Sequence, residues 1–89
     1  MLRDFVKTLP VELREEFLSL VTVALYTRMA RTELAASKAG GKTDPKLEDV
    51  YYSWREVFSR RIAGFKQQCR GRGLEPPKMK LDEICNVFV

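Results

Sequence analysis

Two short segments rich in glycine and proline interrupt this sequence, and they limit the folds that the chain can adopt. The first is KAGGKTDP at 38–45, and the second is GRGLEPP at 71–77. Because glycine and proline disfavour helix interiors, these breaks leave two long segments and a short C-terminal one. In all three, apolar residues recur every three or four positions, and no stretch of useful length alternates with period two. The sequence therefore predicts an all-α chain of three helices in a single domain, residues 1–89.

The first predicted helix covers about 2–38 and contains a break at Pro10. Proline fits the first turn of a helix, but inside a helix it removes a hydrogen bond and bends the chain. Two arrangements stay open. Either the helix begins at this proline, with Thr8 or Leu9 as its cap, or a short first turn is kinked onto a longer helix.

Apolar residues cover most of the circumference of this first helix. They form three stripes at helical spacing, which are Leu13, Phe17, Leu20, Val21 and Ala24, then Leu18, Leu25 and Met29, and finally Val23, Ala30 and Leu34. Such a helix must be buried on several sides, and a monomer of 89 residues cannot easily bury that much. The pattern therefore predicts a homodimer, with a central core helix of a monomer as the alternative.

The second predicted helix covers about 45–70. Asp44 suits its N-cap, because a short side-chain oxygen can accept a hydrogen bond from a free backbone N–H group there. Pro45 suits the first helical position, where its missing N–H group is not needed. Near the other end, Gly71 or Gly73 can terminate the helix by adopting a left-handed backbone conformation.

A short third helix is predicted over about 80–88, after the second break. Its inward positions are expected to be Leu81, Ile84 and Phe88. The second helix carries an aromatic stripe at helical spacing, which is typical of a core-facing surface. The residues that we expect in the core and in the dimer contacts are Leu13, Phe17, Leu20, Val23, Trp54 and Phe58.

The net charge of +4 is concentrated in one part of the chain. Residues 46–80 contain nine basic and four acidic side chains, a net charge of +5, whereas residues 1–45 carry +1 and residues 81–89 carry −2. On a helix with about 100° per residue, five polar side chains of this segment fall within a stripe about 60° wide and about 22 Å long. These residues, named here the basic stripe, are Tyr52, Arg55, Ser59, Lys66 and Arg70, and Arg60 lies beyond them.

The chemistry of the basic stripe suits a nucleic-acid backbone. Arginine and lysine bind phosphate, and serine and tyrosine hydroxyls donate to phosphate or sugar oxygens. The segment lacks the asparagine and arginine cluster of a base-reading helix, and no helix-turn-helix spacing precedes it. We therefore expect recognition by shape and charge, as in A-form RNA, without sequence readout. On physical grounds duplex DNA stays an alternative partner, and a solvated basic face is the simplest alternative.

Four parts of the chain resemble a known family, and one of them is the long apolar helix that follows VKTLPVEL. VKTLPVEL has an apolar residue, two polar ones, Leu-Pro and then a further apolar residue; TDPKLEDVYYSWREVFSRR opens with an acid and proline and continues with aromatic and basic residues. A proline-containing break then leads into PPKMKLDEICNVF. This pattern resembles the small, all-helical suppressor of RNA silencing that insect nodaviruses make.

The resemblance implies a homodimer whose paired helices form a four-helix bundle and lie along one face of double-stranded RNA. Basic and hydroxyl side chains of the second helix would carry the RNA contacts, and by position these are Arg55, Ser59, Lys66 and Arg70. The implied role is to mask duplex RNA from the silencing machinery of a host cell. The alternative is a small helical module, such as a phage or viral adaptor, that docks on a host protein through its apolar stripes.

An enzyme is not expected, because the sequence has no histidine, no phosphate-binding glycine motif and no nucleophile paired with a base. The acids Glu12, Glu15 and Glu16 fit a surface charge that favours a helix N-terminus. Cys69 and Cys85 lack metal-ligand spacing, so we expect free thiols, no metal and no cofactor.

Membrane insertion and secretion are not expected either. The start MLRDFVKTLP lacks the apolar region of a signal peptide, and the run FLSLVTVALY is about half the length needed to span a bilayer. The expected location is the cytoplasm, or that of the host cell for a viral protein. No small-molecule substrate is expected.

Overall fold

The computed structural model describes residues 2–88, which form four α-helices and no strand. In chain order these are α1 (Leu2–Lys7), α2 (Val11–Ala39), α3 (Pro45–Gly71) and α4 (Leu81–Cys85). The two long helices α2 and α3 pack against each other, and α4 packs against α2. The predicted all-α fold with two long helices is therefore confirmed. Met1 and Val89, the ends of the predicted domain, lie outside the described residues.

The break at Pro10 separates a short helix from a long one, which corresponds to the second predicted arrangement. Pro10 itself stands at the N-cap of α2, with φ −63° and ψ 160° and no side-chain hydrogen bond. The predicted caps were wrong, because Thr8 and Leu9 form the turn that follows α1. The Thr8 hydroxyl donates to the carbonyl oxygen of Phe5 at 2.7 Å, and the Leu9 N–H group donates to that of Val6 at 3.2 Å.

The second long helix begins as predicted and ends one residue later. The Asp44 side chain accepts a hydrogen bond from the backbone N–H group of Lys46 at 2.9 Å, with Pro45 in the first helical position. At the C-terminal end, Gly73 has φ +75°, and the Leu74 N–H group donates to the carbonyl oxygen of Cys69 at 2.9 Å. This geometry is a Schellman motif, which explains the glycine because its left-handed backbone conformation strains other residues.

Phe17 lies at the centre of the core, where it is fully buried. Its ring centroid lies 5.6 Å from that of Phe65 on α3 and 6.2 Å from that of Phe88 near the C-terminus. All four core residues predicted on α2 are buried, namely Leu13, Phe17, Leu20 and Val23. The core therefore depends on one face of α2, against which α3 and the C-terminal segment pack.

Trp54 and Phe58, which were predicted as core residues, are only half buried. The aromatic stripe of α3 is wider than the contact with α2, so its members reach from the core to the edge of the helix pair. The Trp54 ring stacks on Tyr26 of α2 at a centroid distance of 5.1 Å and an interplanar angle of 13°. Phe58 packs against the buried cluster from outside.

The predicted third helix over 80–88 was too long, because α4 ends at Cys85. After this point the backbone turns, and the Val87 N–H group donates to the carbonyl oxygen of Ile84 at 3.3 Å. The turn changes which side chains face inward, so Val87 is buried whereas Phe88 is 60% exposed. The predicted inward position of Phe88 was wrong for this reason.

Cys69 and Cys85 are free thiols that lie buried in the core. Burial raises the pKa of both thiols. Because the thiolate is the reactive form, we expect a disulfide reagent at pH 8 to label folded protein at least about tenfold more slowly than protein unfolded in guanidinium. Equally fast labelling of both thiols in the folded protein would contradict this burial.

Candidate nucleic-acid interface

α3 presents the basic stripe to solvent. Its rotation is fixed by Phe65 and Cys69, which are buried against α2 and the C-terminal segment. Four members of the stripe are exposed, namely Tyr52, Arg55, Ser59 and Arg70, and Lys66 is half buried. The five side chains therefore share one side of a continuous helix, where a partner about 22 Å long or longer can contact them together.

Arg55 is held at the N-terminal half of the stripe by two aromatic residues. Its guanidinium carbon lies 5.8 Å from the ring centroid of Tyr51, which is within the range of a cation–π contact. The ring of Tyr51 in turn lies 5.4 Å from that of Tyr52, at an angle of 44°. A stacked guanidinium uses its flat face, so the N–H groups at its edge stay oriented toward acceptors such as phosphate.

Two basic side chains at this surface already have acidic partners. Arg60 pairs with Glu56 at 2.6 Å, and Arg70 pairs with Glu75 at 3.6 Å. Both pairs are largely exposed, and exposed ion pairs contribute only about 0–1 kcal/mol. A phosphate can therefore displace either acid at little cost, although each acid reduces the local positive charge.

Two further arginines of α3 and its C-terminal cap are used within the fold. Arg61 donates from its terminal nitrogen to the Ser19 hydroxyl of α2 at 2.9 Å. Arg72 pairs with Glu12 near the start of α2 at 3.3 Å. These contacts connect α3 to α2, so neither arginine belongs to the basic stripe.

An exposed apolar surface lies on the helix pair away from the basic stripe. Its members, named here the open apolar face, are Leu18, Leu25, Tyr26 and Met29 of α2 and Val50, Trp54 and Val57 of α3. The stacked rings of Tyr26 and Trp54 join the two halves, and Leu25, Tyr26 and Met29 line a shallow groove with Thr22. On α3, Val50 and Val57 point roughly 180° away from the centre of the basic stripe.

Thr27 is a structural residue that the sequence reasoning missed. It is fully buried, and its hydroxyl donates to the carbonyl oxygen of Val23 at 2.8 Å and lies 3.3 Å from that of Trp54. In a helix, a buried threonine hydroxyl can donate its hydrogen bond to the carbonyl oxygen four residues earlier. The sequence feature that indicates its burial is its position at helical spacing between Val23 and Leu34, which are both buried.

Comparison with known protein families, with characterised protein sequences and with solved structures finds no match. Within residues 2–88, no group of three or more potential ligand side chains could hold a metal ion. None of the four helices is long and apolar enough to cross a membrane. The functional conclusion therefore depends on the two surfaces just described.

Proposed function

We propose that this protein is a homodimer that binds duplex RNA along its phosphate backbone, without reading base sequence. The observation that carries the proposal is the position of the basic stripe on one side of α3, opposite the open apolar face, with four of its five side chains exposed. A backbone-binding surface needs cations and hydroxyls in a row, and the stripe supplies both. Masking duplex RNA from processing enzymes is the role that the resemblance to the nodavirus suppressors implies.

The open apolar face supports the dimer. Leu18, Tyr26 and Met29 are each about half exposed, at 53%, 49% and 57%. Contiguous apolar residues of this size are unfavourable in water and commonly mark an interface. A second copy related by a twofold axis would meet the same face with its own, and α2 and α3 of both copies would then form a four-helix bundle. The two basic stripes would stay outside this interface.

Met29→Glu is expected to convert the dimer to a folded monomer. Glutamate has nearly the helix propensity of methionine, so α2 should form, but its charge would be desolvated at the interface. Sedimentation at micromolar concentration measures the mass, and circular dichroism measures the helix content. A parent protein that is monomeric throughout this range contradicts the dimer, and so does a Met29→Glu variant that dimerises like the parent.

The matched control is Ala63→Glu, which adds the same charge at an exposed position about 20° around α3 from the edge of the basic stripe. This variant should stay dimeric, because Ala63 lies about 130° around α3 from the valines of the open apolar face. It should nevertheless bind RNA more weakly, because an acid there repels phosphate. The two variants thus separate assembly from binding.

Competition among nucleic acids tests the proposed partner. Unlabelled duplex RNA, duplex DNA and single-stranded RNA of equal length compete for a labelled RNA duplex, and duplexes of unrelated sequence are compared. We expect duplex RNA to compete best, with little effect of sequence, because A-form geometry sets the phosphate positions. Equal competition by DNA would show a general polyanion-binding surface instead.

A protein-interaction module is the second candidate, because the open apolar face could also receive an amphipathic helix of another protein. This reading needs a monomer whose open apolar face is free. A dimer that buries the open apolar face and binds RNA in a salt-sensitive manner would exclude the protein-interaction module.

A further inference from the structure

The C-terminal segment follows a defined path across one face of the helix pair. Residues 74–80, named here the ascending limb, leave the end of α3, where the Leu74 N–H group bonds to the carbonyl oxygen of Cys69. The chain then reaches α4, where Asp82 pairs with Arg31 of α2 at 2.8 Å. From there it returns along α2.

The returning part runs down α2 toward its N-terminus. The terminal nitrogen of Arg28 donates to the Asn86 side chain at 3.3 Å, and the Phe88 ring then meets Phe17 at a centroid distance of 6.2 Å. The returning part lies against α2, whereas the ascending limb leaves from α3, where Glu75 pairs with Arg70 at 3.6 Å. α1 lies between them, since it borders Pro77 on one side and Val87 on the other.

The length of the ascending limb agrees with a path along α3. Its upper end lies level with about residue 50 of α3. The Thr27 hydroxyl lies 3.3 Å from the carbonyl oxygen of Trp54, so in this antiparallel helix pair Arg31, which binds Asp82, is about one turn further along, opposite the start of α3. From Cys69 back to Tyr51 the helix extends about 27 Å. Seven extended residues from Leu74 to Leu81 span about 23 Å. The limb therefore runs antiparallel to α3 over most of the length of the basic stripe.

Burial alternates along this limb and directs two lysines outward. Pro76 and Met79 are buried against the core, whereas Lys78 and Lys80 are exposed. Among the described residues, neither lysine takes part in an ion pair, while Glu75 is paired with Arg70. The limb therefore carries two exposed lysines whose charges no acid within the described residues pairs with.

The core-facing side chains of α3 indicate that the limb lies on the same side of this helix as the basic stripe. Cys69 belongs to the buried cluster that includes Met79 and Ile84, and Ile62 packs against this cluster. Both side chains are only about 20–60° around the helix from Arg55 and Lys66. The open apolar face lies on the other side of the helix. A duplex that rests on the basic stripe would therefore also pass over the ascending limb.

We propose that Lys78 and Lys80 form a second row of phosphate contacts parallel to the basic stripe. The proposal rests on the proposed binding of duplex RNA and extends it to a segment outside α3. A single helix row follows one line of phosphates, and a second row lets one copy of the chain engage a broader part of the duplex.

The test compares two double variants with equal loss of charge. The variant Lys78→Gln/Lys80→Gln removes the second row. The control variant Lys42→Gln/Lys46→Gln removes two exposed lysines, one in the loop between α2 and α3 and one in the first turn of α3, about 150° around the helix from the stripe. We expect the first variant to bind duplex RNA at least about tenfold more weakly and with a salt slope smaller by about 2–4. The affinity and the salt slope of the control variant should change little. Equal losses of affinity in both variants would contradict the second row of phosphate contacts.

Protection of lysines from acetylation gives an independent measurement. With saturating duplex RNA, mass spectrometry should show slower acetylation of Lys78 and Lys80 but an unchanged rate at Lys42 and Lys46. If the parent protein binds duplex RNA and the limb lysines stay unprotected, the second row is wrong while the proposed function stands. If the parent protein does not bind duplex RNA, both proposals fail.

Discussion

Phe17→Ala is expected to lower the free energy of unfolding by about 3–5 kcal/mol. Phe17 is fully buried and joins three parts of the fold, because its ring meets Phe65 of α3 and Phe88 of the C-terminal segment. Truncation removes these contacts and leaves a cavity that helices cannot easily close. For a domain of this size, such a loss is a large part of the total stability.

The control for this variant is Leu18→Ala, at the neighbouring position. Leu18 is 53% exposed, so its truncation should change the stability of a single chain by less than about 1 kcal/mol. Both changes are best measured by denaturant unfolding in the Met29→Glu background, because dimer dissociation then does not contribute to the result. Equal losses for Phe17→Ala and Leu18→Ala would contradict the assigned core.

Combining Arg55→Ala, Lys66→Ala and Arg70→Ala should weaken binding of duplex RNA at least about a hundredfold near physiological salt. In a dimer this variant removes six phosphate contacts, and the salt slope should fall by about 5. Alanine is the best helix former and the three side chains lie outside the core, so the fold should persist. Circular dichroism and sedimentation verify that point.

A second triple variant controls for the loss of net charge. Lys38→Ala, Lys42→Ala and Lys46→Ala remove the same three charges at exposed positions around the α2–α3 loop. General electrostatic attraction would make both variants bind equally weakly, whereas a defined interface makes the loop variant nearly normal. Unchanged binding by the stripe variant, while folded and dimeric, would exclude α3 as the interface.

Local signals in the sequence were sufficient to predict both ends of α3. Asp44 and Pro45 act at its start and Gly73 at its end, because capping depends on the few residues around the helix terminus. The exposure of the basic stripe also followed from the sequence, since periodicity determines which residues share a face. What that face binds is a separate question, which periodicity does not answer.

Tertiary contacts determined what the sequence did not predict. At Pro10 the sequence left two arrangements open, and the one with a separate short helix is found because α1 packs against the core. Trp54 is half buried because its position depends on the width of the α2–α3 contact and on Tyr26, which no local pattern contains. The ascending limb was missed for a similar reason. Its lysines are remote in sequence from most of the basic stripe, so no local pattern connects the two.

Titration of labelled duplex RNA with the parent protein at several salt concentrations tests the central proposal most directly. Six phosphate contacts from two copies of the basic stripe predict that log K falls with log[salt] with a slope of about −5. Contacts from the ascending limb would make this slope steeper, at about −9. Absence of binding at low salt, or a slope near zero, would contradict a dimer that holds duplex RNA by its phosphates.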